Sequence, residues 1–218
     1  MSLLKSVFAA VMLGAALGAG AQSGDVGLVN QLSGDVSYAG QGSSESKAQA
    51  FMKVRAGDRF TLSAGAQLRL VYFDGSRQET WKGPASFKAG SRQSEALSGQ
   101  VANAAQLPSG VAQKIAQVPN LVQIAKLGRS GGIAVRGGGK PGRLSSEQQA
   151  EVSQAKTNYA QMRQQASDED ITPEFYYYSV LQDHLLYGEM KTVTDEMLKR
   201  QPNNPEAREL AAYVKSRI

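Results

Sequence analysis

Cysteine is absent from the chain, and histidine occurs once, at His184. The first absence removes disulfides, thiolate metal sites, iron–sulfur clusters and cysteine nucleophiles together. The second removes any multi-histidine metal centre. Beyond the N-terminal stretch no apolar run approaches the roughly 20 residues that crossing a bilayer takes. With so few reactive side chains, the 218 residues predict a place and an architecture rather than a reaction. Their number suits one ordinary domain or two small ones, and neither a cofactor nor a metal is expected.

Residues 1–21 read as a secretory leader. Lys5 supplies the positive charge, Val7 to Leu17 an apolar core, and Ala19-Gly20-Ala21 the small-x-small cleavage pattern. The mature chain then begins at Gln22. An uncleaved membrane anchor is the rival reading, but the stretch turns polar at Gln22-Ser23-Gly24-Asp25 and is short for a span. No cysteine follows the apolar core, so a lipid anchor is excluded. The expectation is a periplasmic protein without a transmembrane anchor. A domain with a sufficient core needs no disulfides in that compartment.

Charge divides the mature chain into three segments. Residues 22–75 carry five basic and five acidic side chains. Residues 76–144 carry ten basic groups against Glu79 and Glu95, and residues 145–218 carry eight basic and twelve acidic groups. The steps coincide with changes in composition and predict organisational boundaries: a β-domain over 22–100, a basic Gly-rich linker with short helices over 101–144, and a helical region over 145–218.

In the first segment Ala66, Leu68, Leu70 and Tyr72 alternate with Gln67, Arg69 and Val71, the pattern of a strand buried on one face. Asp74-Gly75 follows as a type I′ hairpin signal, and Glu79-Thr80-Trp81 is the candidate return strand. Val26 to Leu32, Val36 to Tyr38 and Ala85 to Phe87 are further strand candidates. Short strands at this spacing, separated by Gly-containing turns, indicate a small sandwich or barrel. The expected fold class is therefore α+β, an all-β domain followed by helices.

Several of these pieces carry a family resemblance in their order and spacing. Leu32-Ser33-Gly34-Asp35-Val36, Ala56-Gly57-Asp58-Arg59-Phe60, the run from Ala64 to Ser76 and Gly83-Pro84-Ala85 together resemble the FecR-like domain family. The resemblance covers roughly residues 26–90. It implies an all-β module of the cell envelope. Members include membrane-spanning sigma-factor regulators with a cytoplasmic N-terminal region, whereas here a leader precedes the domain.

Pro108 to Leu127 has a near-helical apolar period interrupted by Pro119, which predicts two short helices or one kinked helix. Residues 128–143 are glycine-rich and basic, a flexible linker or extended edge strand. From Ser145 the chain reads as helical. Ser145 caps a polar helix through Met162, Thr172-Pro173-Glu174 opens a second, a third covers about Met190 to Arg200, and Asn204-Pro205-Glu206 opens a fourth. The Pro202-Asn203-Asn204-Pro205 junction resembles that between tetratricopeptide repeats. Only about one unit is present, so this region must dock on the β-domain or receive a partner.

The chemical signals are weak. Gly137-Gly138-Gly139-Lys140-Pro141 superficially resembles a phosphate loop but has Ala134 and Pro141 where a glycine and a Ser or Thr are needed. Asp183 and His184 are adjacent on a helix and point apart. Asp168-Glu169-Asp170 reads as surface charge complementing a helix start. For binding, the basic segment offers Arg129, Arg136, Lys140 and Arg143 to an anionic envelope surface or an acidic partner, or else to the acidic tail of the same chain. Tyr176-Tyr177-Tyr178 spans nearly a full turn, so Tyr176 and Tyr177 are candidates for an exposed aromatic contact, helix packing being the alternative. Nucleic acid is not an expected partner of an exported chain. The expected function is non-enzymatic binding or scaffolding of an envelope protein, the alternative an envelope sensor or regulator acting on a membrane partner. No spacing supports an envelope hydrolase.

Overall fold

The computed structural model describes residues 24–129 and 143–218. Its N-terminal part is a sandwich of two antiparallel five-stranded sheets. The first has the order β10 (Asn103–Gln106), β7 (Arg77–Lys82), β6 (Gln67–Tyr72), β1 (Asp25–Ser33), β4 (Lys53–Arg55). The second has the order β3 (Ser46–Lys47), β2 (Val36–Ala39), β5 (Arg59–Leu62), β8 (Ala85–Ala89), β9 (Ser94–Gly99). The sheets face one another and do not close into a barrel. Helices α1 (Val111–Ile115), α2 (Val118–Arg129), α3 (Ser146–Gln165), α4 (Thr172–Asp183), α5 (Tyr187–Arg200) and α6 (Pro205–Lys215) follow, so the chain is α+β.

Alternation along the strands fills the space between the sheets. Leu68, Leu70, Tyr72 and Trp81 of the first sheet meet Val36, Phe60, Leu62 and Phe87 of the second in one buried core. Trp81 stacks on Phe87 across the sandwich at 4.4 Å between ring centroids, and Phe60 stacks on Phe87 at 5.0 Å. Glu79, on the same inward row, is buried. It accepts from the indole of Trp81 at 3.2 Å, from Arg77 Nε at 2.8 Å and from the Ser94 N–H at 3.2 Å, which ties β7 to β9 of the opposite sheet.

The turns differ from the sequence expectation in detail. Asp74-Gly75 does not form a two-residue type I′ turn. Tyr72 pairs with Arg77 across a four-residue loop, and the left-handed residues are Gly75 (φ 85°) and Ser76 (φ 47°). Gly34 (φ 73°) does join β1 to β2, but the two strands enter different sheets. A Cβ at Gly34 would lie 2.8 Å from the Ala66 backbone, so this corner requires glycine for space as well as for conformation.

The alternation of β6 predicts one buried face, yet both faces are buried. Val71, with Leu28 of β1, belongs to a second core shared with the helices, where Val111, Ile115, Phe175, Leu181, Met190 and Leu210 also lie. A strand buried on both faces is covered by a layer on each side. Two boundaries expected from composition shift accordingly. β10 extends the first sheet past residue 100 by pairing with β7, and α1 and α2 contribute Val111, Ala112, Val118 and Val122 to the shared core rather than forming a linker. Pro119 falls in the first turn of α2, where its missing N–H costs little.

Helix α4 lies in the middle of the helical layer and is buried on every side from Thr172 to Leu181. The three consecutive tyrosines are therefore all buried in helix packing, and Tyr176 (5% exposed) and Tyr177 (6% exposed) form no exposed aromatic contact. Neighbours satisfy their polar ends. Asn158 Nδ2 donates to the Tyr176 hydroxyl at 3.1 Å, and the Tyr177 hydroxyl donates to Glu189 at 3.1 Å while its ring stacks on Tyr159. Ser145 closes a capping box with Gln148 at the start of α3, and Asn204 Oδ1 accepts from Ala207 N at 2.8 Å at the start of α6, as read from the sequence. The helical region thus docks on its own β-domain, with Phe51 edge-on to Phe175 at 4.9 Å as a further contact between the layers.

Burial pushes the Tyr159 and Tyr177 hydroxyls up to about 12, with Glu174 and Glu189 beside them adding to the rise. A raised value in the fold stabilises it fully below the ordinary tyrosine value of 10 and loses that contribution as pH climbs through about 12. Urea midpoints are expected to stay level up to about pH 10 and then fall toward pH 12, in step with tyrosinate absorbance. The Tyr177→Phe variant should show a shallower fall. A midpoint independent of pH across that interval would contradict this account of α4.

Candidate functional site: a polar cleft between sheet and helices

The helices cover only part of the outer face of the first sheet. Over β7 and β10 that face is left open, and the end of α3 with the α3–α4 turn rises beside it to enclose a cleft of about 610 Å³. Gln67, Gln78, Thr80 and Asn103 form its floor, and Gln161 and Gln165 of α3 form its wall. The lining is thus mainly amide and hydroxyl.

At the deep end lies an ion pair that the sequence reading did not identify. Arg69 of β6 and Asp170 of the α3–α4 turn meet at 2.8 Å, with side chains 7% and 3% exposed. Asp170 had read as a surface charge. Instead its carboxylate accepts from the Thr172 N–H at 2.9 Å and from the Thr172 hydroxyl, and the N-cap of α4 is Ile171 rather than Thr172. Asn30 Nδ2 donates to the Thr172 hydroxyl, and Arg69 donates to Gln31 Oε1 and, through Nε, to Thr80 Oγ1 at 3.3 Å. The pairing of β1 with β6 slips between Val29 and Gln31. A bulge of this kind re-aims side chains, and here it brings both Asn30 and Gln31 into the network.

The turn carrying Asp170 is itself held. Arg163 of α3 donates to the main-chain oxygens of Ala166, Ser167 and Asp170 and reaches the buried Glu174 carboxylate at 3.1 Å. Tyr159 donates to Glu174 at 3.2 Å, and Arg200 of α5 approaches it at 3.3 Å. Burial pushes the Glu174 carboxyl above the ordinary carboxylate value, against the opposing pull of Arg163 and Arg200. Glu174 therefore serves as an internal anchor rather than the exposed helix-start acid that its position suggested.

A second ionic cluster joins α1, α3 and α4. Lys114 reaches Glu151 at 3.2 Å and Asp183 at 2.5 Å, and His184 Nε2 lies 3.1 Å from Glu151. Burial would raise the Glu151 carboxyl, but hydrogen bonds and charge from Lys114 and His184 bring it below its usual value. The basic segment thus does supply charge to the acidic tail, through Lys114. Asp183 and His184 engage different partners, as adjacent helix residues should.

Of the expected contact residues, Tyr176 and Tyr177 lie in the helical core, Arg129 is the last residue of α2, and Arg143 is exposed two residues before the Ser145 cap. Arg136 and Lys140, the Gly137–Pro141 run and the leader over 1–21 lie outside the described residues. None of the described ones lines the cleft. Among the described residues no group of three or more His, Asp or Glu could hold a metal ion, and no helix is long and apolar enough to cross a membrane. No protein-family model, curated protein or solved structure matches the chain.

Removing one member of a buried pair leaves the other charge uncompensated and costs about 3–5 kcal/mol, whereas replacing both with apolar groups is often near neutral. The Arg69→Ala and Asp170→Ala variants should each lose stability of that order in urea unfolding. The double variant Arg69→Met/Asp170→Leu should lose much less than the two single losses combined. Additive losses would show that the pair does not act as a unit.

Proposed function

We propose that the protein is exported to the bacterial periplasm and acts there as a non-enzymatic binding or scaffold protein, its FecR-like β-domain and helices together holding an envelope partner in the cleft. The observation that carries this reading is the state of the charged groups at the bottom of the cleft. Arg69 and Asp170 are committed to each other, to Thr172, Gln31 and Thr80, so they serve to hold the floor rather than to move protons. A general acid or base has to exchange a proton with a bound substrate. Apart from Lys82, what the cleft presents to a ligand is a set of neutral amides and hydroxyls, each able to donate and accept, on two rigid layers. That chemistry suits recognition by hydrogen bonds. Export follows from the leader pattern over 1–21, and the envelope partner follows from export.

Expression of the full chain with a C-terminal tag tests both parts. The recovered protein should fractionate with the periplasm and begin at Gln22 by intact mass. Envelope partners cross-linked to it should fall by about tenfold or more, the signature of a lost anchor contact, in the Gln161→Trp/Gln165→Trp variant, whose substitutions fill the cleft from an exposed helix face. Intact leader on cytosolic protein would reject export. Undiminished capture by the filled-cleft variant would reject the cleft.

A further inference from the structure

Sheet edges expose unpaired main-chain groups, and proteins blunt them with short strands, charges or bulges. Three of the four edges here are treated in that way. β4 carries Lys53 and Arg55, β3 is two residues long, and β9 carries Glu95 and a register shift against β8. The fourth edge, β10, reads Asn-Ala-Ala-Gln, is exposed along its whole length, and pairs with β7 in unbroken register. It has no charge, proline or bulge, and it borders the cleft.

The direction of its free groups follows from one hydrogen bond. Leu107 N–H donates to Ser76 O at 2.8 Å, continuing the β10–β7 register. Hydrogen-bonded positions alternate along an antiparallel pair, so Asn103 and Ala105 direct their main-chain groups to β7. Ala104 and Gln106 direct theirs away from β7, along the open edge that borders the cleft. A polypeptide strand supplies the complementary row of donors and acceptors. Lys82 stands in the cleft beyond Thr80, at the end where β10 begins. The C-terminal end of a strand added antiparallel to β10 would reach that position, where an acidic side chain would meet the ammonium group. Val101, 72% exposed, borders the same end and offers apolar contact.

We infer that the cleft binds an extended segment of a partner protein, added antiparallel to the free edge of β10, with uncharged side chains along the cleft and an acidic side chain beside Lys82. This rests on the reading of the cleft as a binding site. A library of short random peptides displayed on phage, selected on the full chain, supplies the probe, and the most enriched peptide is then synthesised and titrated. Ala104→Pro removes an N–H that faces away from β7 and leaves the β7 ladder whole. It should weaken the peptide by about tenfold or more, one main-chain contact plus steric mismatch, with far-ultraviolet circular dichroism and melting as in wild type. Asn103→Glu, which places on this edge the kind of charge the others carry, should weaken it similarly, and it decides the matter if the proline variant does not fold. Lys82→Ala should weaken only peptides that carry the acid. Selection that enriches no peptide, or a peptide bound equally by the folded Ala104 and Asn103 variants, would overturn strand addition. In that case, loss of partner capture by the α3 tryptophan variant would still uphold the cleft as the site for a ligand of other chemistry.

Discussion

The contact between Arg69 and Asp170 determines how the two halves of this molecule meet. An ion pair 7% and 3% exposed is tolerable only where its remaining donors and acceptors are satisfied, because each uncompensated buried charge costs several kcal/mol. Thr172, Gln31 and Thr80 supply those partners, Asn30 donates to the Thr172 hydroxyl, and the β1 bulge brings Asn30 and Gln31 to the right side of the sheet. The apolar contacts around Leu28, Val71, Phe51 and Phe175 provide the burial that favours docking. They are non-directional. The polar network penalises any displaced arrangement of the same surfaces, since a shifted turn would leave Arg69 buried and unpaired.

The cleft is a by-product of the same arrangement. The outer face of the first sheet is apolar at Leu28 and Val71 and polar at Gln78, Thr80 and Asn103, so the helices have reason to cover one side and not the other. Arg163 holds the α3–α4 turn by three main-chain oxygens, which fixes the wall relative to the floor. A site with both sides fixed loses little conformational entropy when a ligand arrives, and preorganisation of this kind favours binding. The groups that hold the site in place are the charged ones. Those left for a ligand are neutral side chains, Lys82 and the free edge of β10.

Much of the local structure was legible before any coordinates. The inward rows of β6, β7 and β8 follow from alternation, and the Ser145 and Asn204 caps and the division of α1 from α2 near Pro119 follow from residue chemistry. The errors share one cause. Arg69 looked like the exposed half of an alternating strand, Asp170 like surface charge, Glu174 like an ordinary first-turn acid, and Tyr176-Tyr177-Tyr178 like a helix turn too wide to bury. Each judgement assumed solvent on the far side of its element, and in each case another layer lies there. Arg69 on a central strand with Val71 two positions on, and a helix rich in aromatics all round, were the available signals of such a layer.

The sequence by itself determined the inward rows of β6, β7 and β8 and the capped starts of α3 and α6, because periodicity, caps and turn residues act within a few positions along the chain. It also determined that cysteine is absent and histidine occurs once, since composition alone decides which side chains exist. Only the tertiary structure decided that the helices dock on the outer face of the first sheet, that Arg69 finds Asp170 across 101 positions of sequence, and that β10 is left with a bare edge beside a polar cleft. Those outcomes depend on which surfaces meet after the chain has folded, and no local pattern encodes the distance between residues that far apart.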